Sequence, residues 1–349
     1  MTEKRRVVEK GPALKKNDLI VITGAGGFIA GNLALYFKNK GFTNIRAVDK
    51  KPLYEWYLHI PGVENLCLDV SQEDTCRRVC EGALEVYNLA ADMGGMGFIE
   101  RFRVECLRSI LINTHMVEAA YRAGANRYFF SSSACAYNTQ LQQDPNVRAL
   151  KESDAYPAMA ERGYGWEKLM SEMFCQEYWA ERRMKTFIAR FHNVYGPHGT
   201  WDGGREMAPA ALARKVVEAI DTGKKDITIW GNGEQTRSFM YIDDCVKGID
   251  LIMHCDELIA TPINLGSSEL VSINELLSKI EKIAGVKLKR HYDLAAPRGV
   301  AGRNSDNMFI KKVLGWEPRT PLDKGLAFTY QWIKAQYEAR KAGKRVGVG

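Results

Sequence analysis

The chain has 349 residues, 46% hydrophobic and 26% charged, with a formal net charge of +7. That is the composition of a globular protein long enough for one large or two ordinary domains, and it lacks the apolar run of roughly 18 residues that a membrane helix needs. The basic excess gathers near the ends, in Lys4-Arg5-Arg6, Lys15-Lys16 and Arg340 to Arg345, with no aromatic-interleaved stripe, so neither nucleic acid nor membrane is an expected partner. The segment Met1–Asn17 is charged, has no apolar centre to serve as a signal peptide, and reads as a tail, as does 341–349. The eight cysteines form no C-x-x-C pair, which points to reduced thiols in a cytoplasmic protein and to no metal site.

Taken in order, Leu19–Ile22 reads as a first strand and runs into Gly24-Ala25-Gly26-Gly27-Phe28-Ile29-Ala30, followed by a helix to about Asn39. The strict G-x-G-x-x-G pattern fails at Ile29, but G-x-x-G-x-x-A fits through Gly24, Gly27 and Ala30. Such glycines let backbone approach a pyrophosphate at a helix N-terminus, which makes Gly24, Gly27, Phe28 and Ile29 candidate dinucleotide contacts. A glycine loop alone is weak evidence; its place between a strand and a helix is what gives it weight. The second strand, Ile45–Asp49, ends on a carboxylate suited to the adenosine ribose hydroxyls. This favours NAD over NADP, although Lys50 and Lys51 follow and a strand-end capping Asp is the simpler alternative. A strand near Asn65–Leu68 leads to Asp69, placed for the adenine amino group, and Val86–Leu89 leads to Ala90, small enough to pass beneath a cofactor.

A glycine-rich loop at 92–98 precedes a helix over 104–123. Then come an apolar strand through Tyr128-Phe129-Phe130, the stretch Ser131–Tyr137, a helix from Tyr164 to about Arg183, and a strand at Thr186–Arg190. This alternation predicts an α/β fold with a doubly wound parallel sheet, its ligands beyond the carboxyl ends of the strands. After residue 190 the texture changes. Arg190–Pro197 reads as an irregular loop, followed by a helix to Thr222 carrying Lys215 and by short strands at 227–230 and 235–239. Helices are expected at Ile242–His254, Ile273–Gly285, Asn307–Leu314 and Leu322–Arg340, with a strand near Lys287–Tyr292 and a loop from Arg298 to Asp306.

Tyr164 and Lys168 are four apart, so they share one helix face. A phenol of pKa about 10 is a poor base unless a cation stabilises its anion. A lone pair of this kind is as well explained by a surface tyrosine and a salt-bridged lysine. Combined with Ser133 and the glycine loop, it supplies what is needed to take a proton from an alcohol while a nicotinamide takes the hydride.

These residues, with R-F-H-N-V-Y-G-P at 190–197, resemble the extended short-chain dehydrogenase/reductases that modify nucleotide sugars. The runs D-M-G-G-M-G-F at 92–98, S-S-A-C at 132–135, G-T-W-D-G-G-R-E at 199–206, Q-T-R-S-F at 235–239 and G-R-N-S-D-N at 302–307 are similar to the GDP-mannose 3,5-epimerase family within that group. The resemblance implies a Rossmann-type NAD domain at 18–190, with 239–265 returning to it. It further implies a nucleotide-sugar domain from 191–238 and 266–340, and a homodimer through the helices at 104–123 and 164–183. It implies oxidation of C4 with Tyr164 as base, acidification of C3 and C5 by the resulting ketone, proton transfer by Cys135, and reduction back by the same cofactor. Sugar-nucleotide 4,6-dehydratases carry an Asp-Glu pair where this chain has Ala134-Cys135, which argues against dehydration.

The resemblance also implies substrate contacts at Gly94, Ser133, Cys135, Asn193, Glu206, Lys215, Gln235, Thr236 and Arg237, with Arg303 on the diphosphate. One departure stands out. The family's partner acid/base is a lysine, and this chain has Met207 there. A thioether has no exchangeable proton, so three outcomes stay open: a blocked enzyme, a C4 oxidase or one-centre epimerase, or replacement of the lysine by Glu206, His192, Lys215 or water.

Overall fold

The computed structural model describes residues 14–344 and Val346, so the expected N-terminal tail lies almost wholly outside the described residues and the C-terminal one in part. The first half is built from β1 (Ile20–Thr23), α1 (Phe28–Asn39), β2 (Ile45–Asp49), β3 (Glu64–Cys67), α2 (Glu73–Cys80) and β4 (Glu85–Asn88). It continues with α3 (Met96–Arg101), α4 (Arg103–Arg122), β5 (Arg127–Ser133), α5 (Tyr164–Arg182) and β6 (Lys185–Phe191). Then follow β7 (Asn193–Tyr195), α6 (Ala208–Thr222), β8 (Asp226–Trp230), β9 (Thr236–Tyr241) and α7 (Ile242–Met253). The chain closes with β10 (Pro262–Leu265), β11 (Leu270–Ser272), α8 (Ile273–Ala284), β12 (Lys289–Asp293), β13 (Gly302–Arg303), α9 (Met308–Leu314) and α10 (Leu322–Lys341).

Seven parallel strands in the order β10-β6-β5-β4-β1-β2-β3 form the central sheet, the doubly wound arrangement expected of a Rossmann-type fold. Both faces are covered, and residue alternation shows it. Ile20, Ile22, Tyr87 and Phe129 join Leu33 and Phe37 of α1 and Ile249 of α7 on one side. Val21, Val86, Tyr128 and Phe130 join Cys76 of α2, Met116 of α4 and Cys175 of α5 on the other. Strands buried on both faces read as unbroken apolar runs, which is why β1 was legible as I-V-I-T. The first core continues into the C-terminal part through Leu276 and Ile280 of α8 and Ile333 of α10. There β9 lies between β11 and β13 and also pairs with β7, while β8 pairs with β12.

Three local expectations change. The supposedly irregular 190–197 stretch contains β7, because Asn193–Tyr195 pairs in parallel register with Phe239–Tyr241. The 92–98 loop winds into α3 at Met96, since Phe98 and Ile99 bury against Cys106 and Tyr164. Within the Arg298–Asp306 loop, Gly302-Arg303 add β13 beside Thr236-Arg237.

Candidate active site

β5 and β6 pair over seven residues, from Arg127↔Lys185 to Ser133↔Phe191, and they carry the site out beyond the sheet. Below it lies a buried polar frame. Arg190 donates from Nε and Nη2 to Glu172 of α5 at 2.8 and 2.7 Å, and Ser132 Oγ donates to the same carboxylate. The Tyr137 ring lies 4.9 Å from the Arg190 guanidinium, and its hydroxyl donates to Asn264 Oδ1 at 2.6 Å. Asn264 spends its amide hydrogens on the carbonyls of Leu150 and Asp306, so Oδ1 can only accept. His192 Nε2, at 3.0 Å, must therefore carry the ring proton, and Nδ1 is left buried without a partner. Burial, aided by the charges of Arg303 and Arg190, pulls His192 down to about 4. The imidazole is neutral.

Above this frame Ser133 Oγ accepts from the Cys135 backbone N–H at 3.1 Å and starts the single turn Ala134–Ala136. α5 begins at Tyr164 directly against that turn: a side chain at Gly165 would collide with the Cys135 carbonyl, so only glycine fits. This close approach packs Cys135 and Tyr164 into one cluster with Phe98, Ile99 and Cys106. Arg303 reaches in from β13 and donates from Nη1 to Cys135 Sγ at 3.4 Å, from Nε to Gln142 at 2.7 Å, and from Nη2 to Glu161. Burial, with the Glu161 charge, pushes the Cys135 thiol up to about 11, against the opposing pull of Arg303.

Lys168 is 1% exposed. Its ammonium lies 5.4 Å from the Tyr164 ring centre, 4.8 Å from that of Phe130 and 3.8 Å from Glu167. Burial, then the charges of Cys135 and Glu167, drive Tyr164 well above its ordinary value, with Ser133 opposing. Glu167 is held by Asn113 and Ser171, and Asn113 in turn accepts from Asn88, which accepts from Thr23. A polar chain thus ties the end of β1 to α5.

The dinucleotide side fits its expected occupant. Gly24 has φ +76, and a Cβ there would lie 2.9 Å from the Leu89 carbonyl, so the chain crosses under Ala90 only with glycine. Gly27 caps α1, with Phe28 and Ile29 in its first turn. Asp49 accepts from Gly26 N at 3.1 Å and Lys51 N at 3.0 Å, which aims a carboxylate into the loop. Asp69 is exposed and accepts from Ser71 N at 2.9 Å, and Lys50 is turned to Asp92 at 2.8 Å.

Several side chains expected on the substrate are hydrogen-bonded to backbone carbonyls. Asn193 donates to Ser238 O, Lys215 to Thr228 O, Gln235 to Trp230 O and Thr236 to Pro145 O. Arg237 donates to the carbonyls of Thr236, Arg298 and Val300. Arg303 is buried, with its Nη1 on the thiol. Gly94 abuts Phe98 and Arg205, whose guanidinium lies 3.9 Å from the Phe98 ring centre. Glu206 accepts from Gly204 N at 2.7 Å and pairs with Arg214 at 3.1 Å. Met207 caps α6 and is half-buried. Glu161, Gln142 and Asn264 did not stand out in the sequence. They lie in no periodic pattern, and their side-chain partners Arg303, Tyr137 and His192 come from distant parts of the chain.

Residues 20–266 match the model of the NAD dependent epimerase/dehydratase family. The chain belongs to that family. Within it, the chain is 42% identical to GDP-mannose 3,5-epimerase of Arabidopsis thaliana over 94% of its own length and 85% of the relative's. It is 44% identical to GDP-mannose 3,5-epimerase 1 of Oryza sativa subsp. japonica, over 92% and 83%. Among solved family members, UDP-glucuronic acid 4-epimerase from Bacillus cereus, with UDP-glucuronic acid and NAD, superposes with a TM-score of 0.77 at 25% identity, covering 90% of this chain and 99% of that one. UDP-glucose 4-epimerase of Thermus thermophilus, with NAD, shares the fold at a TM-score of 0.77 and 17% identity, covering 90% and 98%. As a member of this family the protein is an NAD-dependent enzyme.

Proposed function

We infer that the protein epimerises GDP-mannose at C3 and C5 through a transient 4-ketone. The observation that carries this reading is Cys135, a thiol just beyond Ser133 that packs with Tyr164 and meets Arg303, in a chain so similar to plant GDP-mannose 3,5-epimerases. NAD, when bound, supplies the redox partner for C4. Ser133 and Tyr164 hold the C4 hydroxyl and take its proton. Ketone formation acidifies the neighbouring C–H bonds, and Cys135 handles the proton on one face. Incubation with GDP-mannose in deuterated water tests this directly: deuterium at both C3 and C5 is expected, and absence of label at either carbon defeats the reading.

Met207 favours a second reading, in which only one centre inverts or C4 alone is oxidised. The side chains weighed as replacements are committed elsewhere. Glu206 is paired with Arg214, Lys215 is bonded to Thr228, and His192 is neutral with its proton on Nε2. Water is then the proton-transfer partner opposite Cys135, and label at one carbon only would select the narrower enzyme.

A homodimer is supported by the outer face of α4 and α5. Val104, Leu107 and Leu111 on one helix and Trp166, Met170 and Met173 on the other are exposed at helical spacing. A second copy presenting the same stripe covers both, and light scattering at monomer mass would remove this proposal. The unpaired state of all eight cysteines supports a reducing, cytoplasmic location. Among the described residues no helix is long and apolar enough to cross a membrane.

A further inference from the structure

The Cys135 thiol is not alone with the sugar-facing groups. Glu161 is 9% exposed, and its backbone N–H donates to the Cys135 carbonyl at 3.0 Å, which fixes it beside the turn that carries the thiol. Its carboxylate takes the Nη2 end of Arg303, while Nη1 of the same guanidinium points at Sγ and Nε is spent on Gln142. Every nitrogen of Arg303 is therefore occupied. Behind it lies Arg237, its register partner in β9, turned to three carbonyls. The other titratable groups packed on the thiol are Tyr164 and Cys106.

We propose that Glu161 is a positioning residue whose carboxylate occupies Arg303 and holds Cys135 as a neutral thiol, so that Cys135 enters the reaction as a proton donor. The physical reason is charge balance in a buried place. A thiolate at Sγ would set a second anion on a guanidinium already neutralised by Glu161, and a buried charge without its own partner is costly. In the forward step water on the opposite face takes the acidified C–H proton, the pair of that bond passes into the enolate, and the enolate carbon uses it to form the new C–H bond as the S–H bond breaks. The electron pair of the S–H bond stays on sulfur, where Arg303 Nη1 is positioned to meet it, and a proton from water restores the thiol. The assignment of direction rests on the functional reading above; the state of the thiol does not. Burial and Glu161 raise the Cys135 thiol while Arg303 lowers it, in agreement with this geometry.

The test reads Cys135 itself. The full-length protein is alkylated with iodoacetamide across a pH series, and modification is followed on the tryptic peptide Tyr128–Arg148, which contains no other cysteine. In Glu161→Gln the thiol faces Arg303 and Arg237 with the carboxylate gone. Its alkylation midpoint should fall by about one pH unit or more, a roughly tenfold gain in thiolate at a given pH. Glu161→Asp, with its carboxylate drawn back, should lie between Glu161→Gln and the unsubstituted protein. A Glu161→Gln midpoint equal to or above that of the unsubstituted protein overturns the proposal. Should that variant not fold, an Asp midpoint at or above the unsubstituted value does so. No substrate is needed, so failure of GDP-mannose to exchange deuterium would defeat the functional reading without touching this result.

Discussion

The floor of the site and the loop at 203–207 are held by different physics. In the floor, Arg190 and Glu172 are each 2% exposed and meet through two short hydrogen bonds, with Ser132 on the same carboxylate. Tyr137, Asn264 and His192 form a second closed set. The loop instead runs through Gly203 and Gly204, both exposed, and Arg205, 43% exposed, which lies 3.9 Å from Asp92 and stacks on Phe98. Exposed pairs of that kind contribute at most about 1 kcal/mol, whereas stripping one partner from a buried pair costs roughly 3–5 kcal/mol. The floor can therefore accept almost no change, and the loop can change its chemistry while the fold persists. Met207, where the resemblance implies an acid/base lysine, lies at the end of that loop.

That contrast can be broken in three places. The largest effect is expected from Tyr164→Phe, just above the floor, which keeps the ring and its packing but removes the hydroxyl. Turnover should fall by about 10²- to 10⁴-fold, and reduced nicotinamide should no longer appear on adding substrate; an unchanged absorbance rise would take Tyr164 out of its role. Next comes Glu172→Gln, which leaves Arg190 buried beside a neutral amide. Stability should drop by several kcal/mol, toward the ~3–5 kcal/mol of a broken buried pair, read as a lower urea midpoint. A loss under about 1 kcal/mol would place this pair among the exposed ones. The smallest structural effect is expected from Met207→Lys. Its unfolding midpoint should stay within about 0.5 kcal/mol of the parent, while deuterium entry at the poorly exchanging centre should rise about tenfold or more. An unaltered label pattern would mean that water already does all that a lysine could do there.

The legibility of the site follows the same division. Gly24, Asp49, Ser133, Tyr164 and Lys168 were readable because each obeys a local rule: a tight turn, a strand end, an i,i+4 face. Glu161 obeys none. It lies 142 residues from Arg303 in the chain, and their pairing exists only because β13 adds to β9. For the same reason R-F-H-N looked like a loop of possible ligands, whereas Arg190 and His192 serve the frame beneath the thiol and Asn193 begins β7.

The amino-acid sequence by itself determined the parallel sheet, its helices and the family chemistry, because period, glycine spacing and helical register act over a few residues. Only the tertiary structure decided the electrical state of the site. Burial with the charges of Cys135 and Glu167 acts on Tyr164, and burial with Glu161 before α5 and Arg303 of β13 acts on Cys135. Those charges act through space, and their distances are set by the packing of strands far apart in the chain.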